Sequence, residues 1–263
     1  MPSQESGGVA NMWYSFNHGL AHFVVIDTET DFKNAPEENH GDSGVFPAGH
    51  FAASGAQLAW LEADLKAADA NRAERPWVFV GGHRPLYDAT GKHASSGDDG
   101  DEGQQEEDAR MWLSTQALEA CMKRGDCPKA KTPLKNAVMD AFEELFHEYH
   151  VDIFFAGHIH DYGRSFPVYK NAATSQNYDD PAAPVYVVSG SAGCDESKLH
   201  RRRRLKQDGG ADASSWVAFS DREHYGFGEL TILNATAVHW AQINSDTGAV
   251  LDEFTMTKKA QSS

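Results

Sequence analysis

A helical repeat that runs without interruption into an apolar strand constrains this chain more than any other feature. From about Leu134 to Tyr149, Val138, Phe142, Leu145, Phe146 and Tyr149 fall on one helical face. Val151-Asp152-Ile153-Phe154-Phe155-Ala156 follows at once and reads as a buried strand. A second short apolar run, Pro76 to Gly81 (PWVFVG), precedes it and ends in Gly81-Gly82. Strand, helix, strand is the pattern of a layered α/β fold, with sheets flanked by helices.

Other elements extend that frame. Trp13-Tyr14-Ser15-Phe16 and Ala21 to Asp27 (AHFVVID) look like paired strands. Leu58, Leu61, Leu65 and Ala68 recur at helical spacing, with Ser54 as a cap. Pro184 to Ser189 is a further apolar strand. Phe227 to Leu233, Ala237 to Asn244 and Val250 to Met256 read as three successive strands with turns at Asn234-Ala235 and Asp246-Thr247-Gly248. The remaining segments, 1–9, 28–53, 88–108 and 190–222, read as loops. No internal repeat is present, so residues 1–263 are expected to be part of one domain whose last strands cover about 184–258. The early sheet strands call for partners supplied by preceding sequence, and the expectation is that the N-terminal half of the fold is missing.

Charge narrows the function. Lys+Arg 23 against Asp+Glu 39 gives −16, which repels nucleic acid and anionic membranes. The acidic run Asp98 to Glu102 reads as a solvated loop, and the basic cluster His200 to Arg204 as a solvated loop or processing site. No stretch approaches the ~18 consecutive apolar residues of a membrane span, and no basic-then-apolar leader opens the chain. Cys121 and Cys127 are near enough to close a small loop, which suits an oxidising compartment; Cys194 has no obvious partner. Asn234-Ala235-Thr236 is a glycosylation sequon at Asn234. Both features lean towards a secreted or vacuolar, lysosome-like setting.

The residues with chemistry stand at strand ends. Gly157-His158-Ile159-His160 follows the 151–156 strand, and in open α/β sheets ligands bind beyond carboxyl ends. Two imidazoles one residue apart can point the same way from an extended segment. A lone H-x-H arises easily in a chain with 13 histidines, but His83 also follows directly on an apolar strand. Imidazole nitrogen suits zinc, iron, manganese or copper rather than magnesium or calcium.

His83-Arg84-Pro85-Leu86-Tyr87 and Phe155-Ala156-Gly157-His158-Ile159-His160-Asp161-Tyr162-Gly163-Arg164 resemble the later motifs of the metallophosphoesterases, and within them the purple acid phosphatases. Trp13 to Phe16 with Ala21-His22-Phe23, Pro184 to Gly190, Tyr225 to Gly228 and His239-Trp240 continue the likeness in order, with wording like that of fungal-type members. The resemblance implies a phosphate monoester substrate and a di-metal centre of Fe(III) with Zn, Mn or Fe(II). It implies that His83 and His158 bind the divalent ion, that His160 binds the ferric ion and that His93 helps to protonate the leaving alkoxide. Arg84 and Arg164 are candidates to touch substrate; for both, an ordinary ion pair is the alternative. Tyr87 and Tyr162 are expected to be structural.

The family's earlier motifs, which supply its aspartates, tyrosine and asparagine, have no counterpart in residues 1–263. Two expectations stand side by side. The chain is the C-terminal half of an acid phosphatase, with an exposed sheet prone to self-association, or it is a degenerate relative retained for binding. A phosphodiesterase of the same superfamily is a third reading.

Overall fold

The computed structural model describes residues 2–28, 56–90, 137–193 and 216–259. His93, the Cys121, Cys127 and Cys194 side chains, the acidic run at 98–102, the basic cluster at 200–204 and the Ser54 cap lie outside the described residues.

Seven strands form the main sheet. In chain order they are β1 (Tyr14–His18), β2 (Ala21–Val25), β3 (Trp77–Gly81), β4 (Ile153–Ala156), β5 (Tyr162–Ser165), β8 (Val185–Ser189) and β9 (Val217–Asp221), arranged β1-β2-β3-β4-β8-β5-β9. β2, β3, β4 and β8 run parallel, while β1, β5 and β9 pair antiparallel at the two sides. β6 (Val168–Tyr169) and β7 (Ala172–Ala173) make a two-stranded ribbon. β10 (Gly226–Asn234), β11 (Ala237–Asn244) and β12 (Val250–Thr257) form a separate antiparallel sheet. The helices are a short α1 (Pro2–Ser6), α2 (Ala56–Ala70) and α3 (Ala137–Glu148).

The sequence pattern explains the layering. The crossovers from β2 to β3 and from β3 to β4 step the sheet in one direction, so α2 and α3 land on the same face. There Leu61, Leu65 and Ala68 of α2 and Phe142 and Phe146 of α3 pack on Val24, Val78, Val80, Phe154 and Tyr186. The side chains of opposite parity, Trp77, Phe79, Ile153, Val185 and Val187, point to the other face. They meet Val238, Trp240, Phe254 and Met256 of the hairpin sheet. Strands covered on both sides must be apolar at every position, which is why the central runs do not alternate. The hairpin strands have one covered face and do alternate: β12 reads buried at Asp252, Phe254 and Met256 and exposed at Glu253 and Thr255.

The expected layered fold is thus present, with three corrections to its parts. Pro2–Ser6 is a short helix and not loop. β5 was not expected, because Tyr162-Gly163-Arg164-Ser165 has no apolar run, yet all four residues are buried. β9 lies within the span 190–222 read as loop. Among the described residues no helix is long and apolar enough to cross a membrane.

Candidate active site at the strand ends

The parallel strands deliver their carboxyl ends to one rim, and the hydrogen-bond ladder continues past them. Gly82 N–H donates to Phe155 O (3.0 Å), and Gly157 N–H donates to His83 O (2.9 Å). That pairing holds the residues after β3 beside those after β4. His83 Nε2 and His158 Nδ1 stand 3.3 Å apart, with the rings edge-to-face at a centroid distance of 5.1 Å. Arg84 Nη1 lies 3.0 Å from His158 Nε2. The Arg84 main-chain N–H donates to Thr28 Oγ1 (2.8 Å), tying the segment after β3 to the segment after β2.

The G-H-I-H segment is not extended, contrary to the expectation that its imidazoles share a direction. His158 adopts φ +61°, and the backbone then folds through bonds from Ile159 N–H to Gly157 O and from Asp161 N–H to Ile159 O, both 2.7 Å. The buried Ile159 anchors this turn. Gly190, after β8, lets it pack: a Cβ there would come within 2.0 Å of Ile159 O. Gly163 has the same function towards the segment after His83, since its Cβ would meet the Ala89 carbonyl carbon at 2.4 Å.

The structure brings together His83, Arg84 and His158. His160 stands in the same loop, but among the described residues no three His, Cys, Asp or Glu side chains are gathered as a metal site. Two nitrogens 3.3 Å apart match two adjacent ligands on one zinc-like ion, each at about 2.0–2.1 Å. They do not match a bridged pair of ions, which needs carboxylates and more donors. The di-metal centre implied by the resemblance therefore does not fit the described residues as they stand.

Arg164 is placed elsewhere, and this corrects its candidacy for substrate. It is 6% exposed, and its guanidinium grips Asp252 of β12 through Nε (2.7 Å) and Nη2 (2.8 Å). Nη1 donates to the Tyr178 hydroxyl, and the charge lies over the Phe254 ring at 4.8 Å. Burial works against this charge, but Asp252 outweighs it and holds the guanidinium above its ordinary pKa. The Tyr162 hydroxyl donates to Asp252 (2.7 Å) and accepts from Trp240 Nε1 (3.1 Å), and burial raises its pKa far above the usual range. The Tyr87 hydroxyl donates to the buried Glu143. Both tyrosines are structural, as expected. Asn234 is exposed at the β10–β11 turn, where its Oδ1 accepts from Thr236 N–H (2.8 Å) and Oγ1 (3.0 Å). Sequence reasoning missed Thr28, whose role depends on a contact 56 residues away.

Comparison with known proteins points one way. Residues 183–253 match the family model described as iron/zinc purple acid phosphatase-like protein C. Over 98% of its length the chain is 33% identical to an acid phosphatase of Aspergillus ficuum, covering 39% of that protein. Over 96% of its length it is 33% identical to acid phosphatase type 7 of Danio rerio, covering 48% of it. The purple acid phosphatase PPD1 from yellow lupin seeds superposes on 95% of the chain with a TM-score of 0.59 at 21% identity, which shows a shared fold over 33% of that structure. The chain thus spans less than half the length of each of these relatives.

Proposed function

Because the chain belongs to the purple acid phosphatase family, we propose that it serves the hydrolysis of phosphate monoesters as a C-terminal portion of such an enzyme. One observation carries this reading: two neighbouring parallel strands deliver His83 and His158 onto each other at the ligand-binding rim, with Arg84 beside them. A guanidinium there suits the oxygens of a phosphate ester, which it can bind in a two-pronged way. His93 is the proposed proton donor to the leaving alkoxide, a role that suits imidazole in a mildly acidic medium.

Family resemblance adds a centre of Fe(III) with Zn, Mn or Fe(II), which would supply Lewis acidity and an activated water. His83, His158 and His160 are proposed as this chain's donors to it. Among the described residues no three His, Cys, Asp or Glu side chains are gathered to complete it. Glycosylation at Asn234 fits its exposed turn, and a secreted or vacuolar setting goes with it. Self-association would cover Phe16, which is 44% exposed on the edge strand β1.

The test pairs metal content by plasma mass spectrometry with hydrolysis of a chromogenic phosphate monoester at about pH 5. Metal-dependent release of phosphate, lost by about a hundredfold or more in His83→Ala and in His158→Ala, is the expected result. No hydrolysis at any metal loading would leave this chain a carrier of the fold without the activity.

A further inference from the structure

β4 and β5 both pair with β8, which lies between them. The segment that joins them, Gly157 to Asp161, must therefore cross the carboxyl end of β8, and what stands there decides how it bends. Gly190 stands there. A Cβ on it would come within 2.0 Å of Ile159 O and 3.4 Å of His160 N, and its N–H donates to Asp161 O (3.2 Å). The crossing is not relaxed. His158 sits at φ +61°, a conformation that a residue with a side chain keeps only when its surroundings enforce it.

Gly190 is itself held from the hairpin sheet. Gln242 of β11, with no exposed surface, reaches both of its chain neighbours: Ser189 Oγ donates to Gln242 Oε1 (3.1 Å), and Gln242 Nε2 donates to Ser191 Oγ (3.5 Å). The Gly226 N–H adds a main-chain bond to Ser191 O (3.0 Å). Gly226 also leaves room for the amide, since a Cβ there would lie 2.9 Å from Gln242 Nε2. On the same face of β11, Val238 and Trp240 are core residues. If packing alone were required at 242, an apolar side chain would meet it without the cost of burying an amide. An amide paired at both ends with two particular hydroxyls fixes a geometry as well as filling space.

We propose that Gln242 is a positioning residue for the histidine segment. By clamping Ser189 and Ser191 it fixes Gly190 as the seat over which residues 157–161 bend, and so sets the placement of His158 and His160. Through Gln242 the hairpin sheet, which otherwise covers the core, acts on the strand-end rim. The inference rests on the phosphatase reading only for why the two histidines matter.

The test is amide hydrogen exchange of the full chain followed residue by residue by NMR, with the histidine ring signals recorded alongside. In Gln242→Met, which keeps the length and loses both bonds, the Ile159 and Asp161 amides should exchange about tenfold or more faster. Their bonds to Gly157 O and Ile159 O belong to the bent segment. The Val80 and Phe154 amides, in the ladder of β3 and β4, should be unchanged. The ring signals of His158 and His160 should move, and those of His22 and His150, at the amino ends of the strands, should not. Ser191→Ala, which removes one partner of the amide, should give the same pattern at smaller size and serves if the methionine variant folds poorly. Equal acceleration of all four amides would reduce Gln242 to a contribution to stability, and no acceleration at Ile159 and Asp161 would mean that the bend holds itself; either overturns the proposal. No hydrolysis is read here, so a failed phosphatase assay leaves this result standing, and the reverse holds too.

Discussion

β4 joins two regions that treat charge in opposite ways. Just before it, Asp152 is locked: its Oδ2 accepts from Arg72 Nη1 (3.0 Å) and from Val78 N–H (2.8 Å), and its Oδ1 meets Lys258 Nζ at 2.6 Å. Arg72 also donates to the carbonyls of Pro76, Tyr149 and His150, and Lys258 lies over the Trp77 ring at 4.5 Å. Arg72, Pro76, His150, Asp152 and Lys258 line a groove of about 850 Å³. Their polar atoms are spent on one another, so the groove offers a ligand little. Just after β4, His158 stands within hydrogen-bond distance of both Arg84 and His83 in a half-exposed cluster at the strand ends. The lesson is that a groove alone does not mark a site in such a sheet; polar groups gathered at the carboxyl ends of the parallel strands do.

The comparison breaks most visibly at Asp152. Asp152→Ala takes the carboxylate from Arg72, whose side chain is 8% exposed, and from the half-buried Lys258, and leaves the Val78 N–H without its acceptor. Removing one partner of a buried pair costs about 3–5 kcal/mol. Urea unfolding should show that loss in the midpoint. Metal content of the folded fraction should be unchanged, since the histidines lie at the other end of the strand. A loss below about 1 kcal/mol would mean that this network is not the anchor described here.

A second, smaller effect follows from pH. Burial is the main cause that raises the Tyr178 hydroxyl to about 12, against the lowering influence of Arg164. The sign is that of an acid held neutral in the fold: its contribution is complete below pH ~10, where the unfolded chain also keeps the proton, and is lost as pH rises towards 12. One such group accounts for about 1.4 kcal/mol per pH unit across that window, less here because the residue is only partly shielded from solvent. Stability should therefore fall from pH 10 to 11.5 and be nearly flat from 8 to 9.5. Tyr178→Phe should make the alkaline slope shallower by about one ionisation. An unaltered slope would assign the alkaline loss to other groups.

Much of this was legible in the sequence, and what was not has a common cause. Continuous apolar runs announced β2, β3, β4 and β8, because such runs report strands covered on both faces, and the turns at Asn234-Ala235 and Asp246-Thr247-Gly248 announced the hairpin sheet. β5 escaped because Arg164 looks like a surface residue. Only Asp252, 88 residues later, makes its burial tolerable. His83 and His158 could be placed at one rim because each follows a central strand. The bend at His158 could not be anticipated, since it depends on Ile159 and on the close approach of Gly190 from another strand. Local pattern reports coverage; it does not report partners from distant strands.

Thr28 tests that last distinction with the smallest effect. Its hydroxyl accepts from the Arg84 main chain while its methyl packs where a Cβ on Gly82 would collide at 2.7 Å. Thr28→Val keeps the shape and removes only the acceptor. A single neutral hydrogen bond is worth about 1 kcal/mol, so the melt should shift slightly, and the fold should stay intact. Thr28→Ser, which keeps the hydroxyl and loses the methyl, separates the bond from the packing. A melt unaltered in Thr28→Ser but lowered in Thr28→Val assigns the effect to the Arg84 bond; the reverse order would assign it to the methyl against Gly82.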